Sequence, residues 1–185
     1  MVSVKNTPEA WTSRAQAREP WAAAMWSNQG QVDRFARVLS HLSLRPGDSL
    51  LDYGCGPGRL VEFLPETLLY VGCDWSEGMR DRTIREHRVP AVSPDELSDL
   101  VFDHTVVIGT FNLADEWDAN RTIRALYGLW DRTRRSLVVS LYAGTDPDCI
   151  QYRPVQASRW AQTFGGSSWT LDAWRGNDLI LAVHR

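Results

Sequence analysis

Leu50-Leu51-Asp52-Tyr53-Gly54-Cys55-Gly56-Pro57-Gly58 is the stretch that decides the fold. Two leucines, an acid and a tyrosine lead into three glycines on alternate positions. The amphipathic run Arg59-Leu60-Val61-Glu62-Phe63-Leu64 follows. This order predicts a buried strand, a tight turn and the first turns of a helix. Glycine at 54, 56 and 58 keeps Cβ atoms out of the turn, so the backbone can take positive φ and lie against a ligand. A helix beginning near Gly58 would aim free N–H groups and its positive dipole end at that ligand. A molecule with a carboxylate or phosphate tail is therefore expected above the strand's carboxyl end.

The spacing narrows the ligand. A dinucleotide fingerprint needs Gly-x-Gly-x-x-Gly, and counted from Gly54 its last glycine falls on Arg59. The form present is Asp-x-Gly-x-Gly-x-Gly, with Asp52 ahead of the loop. Asp74 then closes a second apolar run, Leu68-Leu69-Tyr70-Val71-Gly72-Cys73. An acid at that place can accept both hydroxyl hydrogens of a ribose. The competing reading is a glycine-rich turn in some other α/β protein.

These residues resemble the class I S-adenosylmethionine-dependent methyltransferase family. The resemblance implies a Rossmann-like α/β fold: a seven-stranded, mostly parallel sheet with an antiparallel C-terminal hairpin and helices on both faces. It implies S-adenosyl-L-methionine as cofactor, its methionine part on the glycine loop and its ribose on Asp74. The implied cofactor residues are Asp52, Tyr53, Gly54, Cys55, Gly56, Asp74, Trp75, Met79, Gly109 and Thr110. Trp75 could lie against the adenine or pack in the core. The family often has an acid after its third strand for the adenine amino group. Here only Ser93, Asp95 and Glu96 stand nearby, and the two acids equally suit the first turn of a helix.

Composition agrees with one self-sufficient domain. The chain has 185 residues, 43% of them hydrophobic, enough for a core without disulfides or metal. A net charge of −3 gives no general attraction to nucleic acid or anionic membranes. Arg14, Arg18, Arg132, Arg134 and Arg135 form either a local basic patch or a solvated surface. Cys55, Cys73 and Cys149 are too few and too scattered for a disulfide framework or a zinc site. No charged n-region with an apolar core opens the chain, and no run is long enough to span a membrane. The expectation is a cytoplasmic protein, monomer or weak homodimer, without metal, DNA or membrane partners.

Residues 1–27 read as a loosely structured segment or short helices covering the site, ahead of a domain over 28–185. Trp11, Trp21 and Trp26 crowd into this segment, either packed onto the domain or facing a flat substrate. Asn28 is a plausible N-cap for a helix carrying Val32, Phe35, Ala36, Leu39 and Leu42. Arg34 on that helix either pairs with a carboxylate or stands exposed. Strands are expected at Ser49–Tyr53, Leu69–Cys73, Arg88–Val92, Phe102–Thr110 and Ser136–Leu141. A hairpin is expected over Ser168–Trp174 and Asp178–His184, around Arg175-Gly176-Asn177. Ser76 should cap a helix running to His87. Further helices are expected over Ala119–Thr133 and Val155–Phe164.

The loop Gly109-Thr110-Phe111-Asn112-Leu113 lies across the switch point from the glycine turn. Family members that methylate amino groups in DNA carry two prolines there, and this chain has none. The acceptor candidates are Asn112, Trp26 and Tyr142, with Asn112 also able to stabilise the turn. His104 sits at the start of its strand and reads as structural. Candidate bases on the rim are Asp115, Glu116 and Asp146, each also a plain surface acid; no catalytic residue is assigned. The function expected is methyl transfer to a small or medium-sized molecule. RNA or protein acceptors, or a non-catalytic cofactor-binding role, are the alternatives.

Overall fold

A computed structural model describes residues 7–114 and 117–185. The helices are α1 (Pro8–Arg14), α2 (Pro20–Ala23), α3 (Asn28–Leu39), α4 (Glu77–His87), α5 (Ala119–Asp131) and α6 (Pro154–Thr163). The strands are β1 (Ser49–Tyr53), β2 (Leu69–Cys73), β3 (Ala91–Val92), β4 (Phe102–Ile108), β5 (Thr133–Tyr142), β6 (Ser168–Trp174) and β7 (Asp178–His184). They form one seven-stranded sheet in the order β3-β2-β1-β4-β5-β7-β6. The first five run parallel, and β7 is antiparallel to both β5 and β6.

Burial on both faces explains the strand sequences. Leu50, Val106, Val138 and Ile180 point into one layer with Phe35 and Val38 of α3. Their chain neighbours Leu51, Val107, Val139 and Leu181 point into the other, with Leu126, Leu129 and Trp130 of α5 and Ala157 and Ala161 of α6. Consecutive apolar residues are what a sheet covered on both sides requires. In register, Tyr53 lies beside Cys73 on one side and Val107 on the other. The carboxyl ends of β1, β2 and β4 thus finish together where the strand order reverses, the crevice that binds ligands in open α/β sheets.

Several expected boundaries move. The segment after the glycine turn is a five-residue 3-10 helix, Arg59–Phe63, not an α-helix. Gly58 enters it in the left-handed region, and Leu64 before Pro65 is already extended, so the run is too short for an α-helical dipole. Ser27, not Asn28, caps α3 by accepting from the Gly30 amide at 3.1 Å. β3 shrinks to two residues behind Pro90, β4 stops at Ile108, and β5 starts at Thr133 rather than Ser136. Ser76 caps α4 as expected, accepting from the Met79 amide. The hairpin strands fall on the expected residues, with Arg175 and Gly176 both at positive φ in the turn.

The segment ahead of α3 is fastened to the domain by arginines. The Arg82 guanidinium donates to the carbonyls of Ala15, Ala17 and Arg18 at 3.1, 2.6 and 3.2 Å. Thr12 lies against Gly78, where a Cβ would come within 2.9 Å of it. Arg59 stacks 5.3 Å over the Trp21 ring while donating to Asn28 and Gln31.

Candidate functional site

The glycine turn is held from both flanks. The Gly54 and Cys55 amides donate to the Cys73 carbonyl, at 2.7 and 3.0 Å. The Gly56 amide donates to Asp74 Oδ2 at 2.9 Å, and the Gly58 amide to the Cys55 carbonyl at 3.1 Å. The expectation of bare amides along the turn is therefore corrected at these positions: the chain itself takes the donors of 54, 55, 56 and 58, and residue 57 is proline. The glycines are needed for conformation and approach. Gly54, Gly56 and Gly58 all have positive φ. A Cβ on Gly54 would fall 2.0 Å from Thr110 Oγ1, whereas one on Gly56 would enter open space. Thr110 Oγ1 donates to the Tyr53 carbonyl at 2.9 Å, tying the loop after β4 to the end of β1.

Above this turn lies a cavity of about 420 Å³, within the 300–1,000 Å³ range common for small-molecule sites. Its wall contains each cofactor and acceptor residue assigned from the sequence, including Asn112, Trp26 and Tyr142. Asp146 lies in the wall too, while Asp115 and Glu116 fall outside the described residues. Trp75 is half-buried and faces the cavity. Asp95 and Glu96 stay out of the wall, but Pro94 enters it. Glu96 instead closes a capping box, accepting from the Ser93 amide and hydroxyl at 2.7 and 2.8 Å. Asn112 Oδ1 accepts from the Tyr142 amide at 3.0 Å, so its carbonyl serves the fold.

Arg34 is neither exposed nor free. It donates to the buried Asp178 at 2.7 Å and stacks 4.3 Å over Trp26. Trp26 in turn lies on Gly109, whose Cβ would meet the indole at 2.4 Å. Asp148, which the loop after β5 offers as a substrate contact or as plain turn chemistry, stands in the wall, and so do Leu113, Trp117 and Cys149, to which the sequence assigns no role in the site. Trp117 is placed by an edge contact with Phe111, ring centres 4.4 Å apart, which no local pattern announces.

Burial dominates the electrostatics. Asp52 is pushed up to about 7 by desolvation, against the hydrogen bond donated by the Tyr70 hydroxyl at 2.9 Å, with the Asp74 charge adding to the rise. Desolvation also raises Asp74, opposed by the Ser76 and Gly56 amides. Burial raises the thiols of Cys55, Cys73 and Cys149, so none is an activated nucleophile. Among the described residues no group of His, Cys, Asp or Glu could hold a metal ion. His104 sits at the other end of the sheet, bonded to Asp48 at 3.1 Å.

The residues fit a nucleoside with an amino-acid tail. The space above Gly56 would be filled by any side chain there. Asp74, with one bond to each oxygen, keeps lone pairs for a diol.

No family model and no curated protein sequence matches the chain. Solved structures do. The magnesium protoporphyrin IX methyltransferase of Synechocystis, solved with S-adenosylmethionine bound, aligns at TM-score 0.69 and 17% identity over 97% of this chain and 92% of that one. The N-methyltransferase NodS of Bradyrhizobium japonicum, in complex with S-adenosylhomocysteine, aligns at TM-score 0.71 and 16% identity over 98% and 99%. A TehB-like methyltransferase of Corynebacterium glutamicum aligns at TM-score 0.65 and 21% identity over 96% and 98%. Sheet order, the reversed hairpin and these alignments give one conclusion: the chain has the Rossmann-like fold of the class I S-adenosylmethionine-dependent methyltransferases.

Proposed function

We propose that the protein is an S-adenosylmethionine-dependent methyltransferase acting on a small or medium-sized molecule. The observation that carries this reading is the pairing of Gly56 and Asp74. A glycine with open space above it and the buried carboxylate at the end of the neighbouring strand, 2.9 Å from that glycine's amide, meet in one cavity at the switch point. Asp74 would take the ribose hydroxyls, Gly56 would let the tail lie on the backbone, and Trp75 and Met79 would flank the base. The bound cofactor supplies an activated methyl group. The protein's part is to orient the acceptor and exclude water, worth about 7–11 kcal/mol in the best cases. Cavity size supports a compact acceptor. So does the use of the basic side chains: Arg132 donates to the carbonyls of Leu97, Gly128 and Ser98, and Arg135 to Asp48 at the far end of the sheet.

Calorimetric titration with S-adenosylhomocysteine tests the reading. Micromolar-range binding is expected, with Asp74→Ala and Asp74→Asn each weakening it about 10- to 100-fold by losing a charged acceptor. Thermal melts of both variants check that the turn survives. No binding by the folded wild type removes the proposal.

A further inference from the structure

We propose that the acceptor half of this cavity takes a flat aromatic ring carrying an alkylamine that arrives as the ammonium cation; the inference rests on the methyltransferase reading above. Among the aromatic rings of the wall, Trp26, Trp117 and Tyr142 come from three separate segments. Each is set in place before any ligand arrives. Trp26 is held between Gly109 and the Arg34 guanidinium. Trp117 packs edge-on against the fully buried Phe111. The Tyr142 hydroxyl accepts from the Asp146 amide at 3.1 Å. Rigid aromatic walls favour a flat guest and attract cations to their faces.

The charges agree. Asp146 and Asp148 stand exposed at the mouth, with Asp146 Oδ1 accepting from the Asp148 amide at 3.0 Å. The Tyr142–Asp146 bond keeps this acidic turn beside the aromatic wall. Arg34, the one arginine in the described wall, is already paired with Asp178. Among the described residues of the wall an anionic acceptor would find carboxylates and no unpaired cation. An ammonium would be drawn in by the acids and held on the rings. On transfer the nitrogen first loses its proton to water at the mouth. Its lone pair then forms the new nitrogen–carbon bond while the methyl–sulfur bond breaks, that pair remaining on sulfur.

The test uses two probes of one ring system and opposite charge, tryptamine and indole-3-acetate, titrated into protein saturated with S-adenosylhomocysteine. Tryptamine is expected to bind about tenfold more tightly. The double variant Asp146→Asn, Asp148→Asn should lose that preference while S-adenosylhomocysteine affinity stays within about twofold. Equal or tighter binding of indole-3-acetate, binding of neither probe, or a preference that survives in the double variant overturns the inference. The titration with S-adenosylhomocysteine alone separates the two readings. Should it fail while tryptamine keeps its preference, the cofactor reading falls and the cation site stands.

Discussion

A methyl group added at position 54 and one added at position 56 should have unlike consequences. At Gly54 it collides with Thr110 Oγ1 at 2.0 Å, on a backbone at φ +79. The collision closes the joint between β1 and the loop after β4. Gly54→Ala should cost about 3 kcal/mol or more in denaturant unfolding. At Gly56 the same methyl meets no atom of the protein. Gly56→Ala should cost only the backbone term, about 1–2 kcal/mol, yet abolish S-adenosylhomocysteine binding because the methyl stands where the tail should lie. If Gly56→Ala binds normally, the tail is not on that face of the turn.

Among the elements, the segment carrying α1 and α2 takes three of its hydrogen bonds to the domain from one side chain of α4. Arg82 is nearly buried, and its guanidinium reaches three consecutive-turn carbonyls while its Nε pairs with Glu86. Apolar burial contributes little to holding the segment, since α1 has no buried residue and α2 only Ala23. Arg82→Met keeps the stem and removes the donors. Amide hydrogen exchange over residues 8–23 should then speed by about tenfold or more, with β1 and β4 unchanged. Equal exchange in variant and wild type would mean the segment is held by packing instead. Trp11 and Trp26 bring this segment into the cavity wall, so its release should also weaken cofactor binding.

At the scale of the molecule, the two ends of the sheet respond to pH with opposite signs. At the amino ends, burial would raise Asp48, but the His104 hydrogen bond, the Arg45 amide and the Arg135 charge outweigh it and lower the group. The Ser49 amide likewise lowers Asp103. These lowered acids stabilise the fold above their unfolded range and lose that contribution as acid protonates them. At the carboxyl ends, Asp52 is raised to about 7. Its protonated form fits the fold, so its contribution is full below the ordinary aspartate range and is lost as pH rises toward 7. Asp52→Asn keeps an acceptor for Tyr70 and cannot ionise. The variant's stability relative to wild type should therefore grow between pH 4.5 and pH 7.5 in paired thermal melts. A constant difference across that window would show that Asp52 is ionised throughout.

The sequence by itself determined the alternation of strands and helices, the hairpin bounds and the glycine turn with Asp74 beside it. These follow from local causes: apolar runs where a strand is covered on both faces, Ser76 before α4, and glycines where φ must be positive. Tertiary structure decided what depends on partners far along the chain. It closed the amides of the glycine turn on Cys73 and Asp74, and shortened the following helix between Gly58 and Pro65. It paired Arg34 with Asp178, 144 positions away, and set Trp117 on Phe111. A residue's own period and propensity say which way the backbone goes. Only the folded sheet says which distant group is waiting when the side chain arrives.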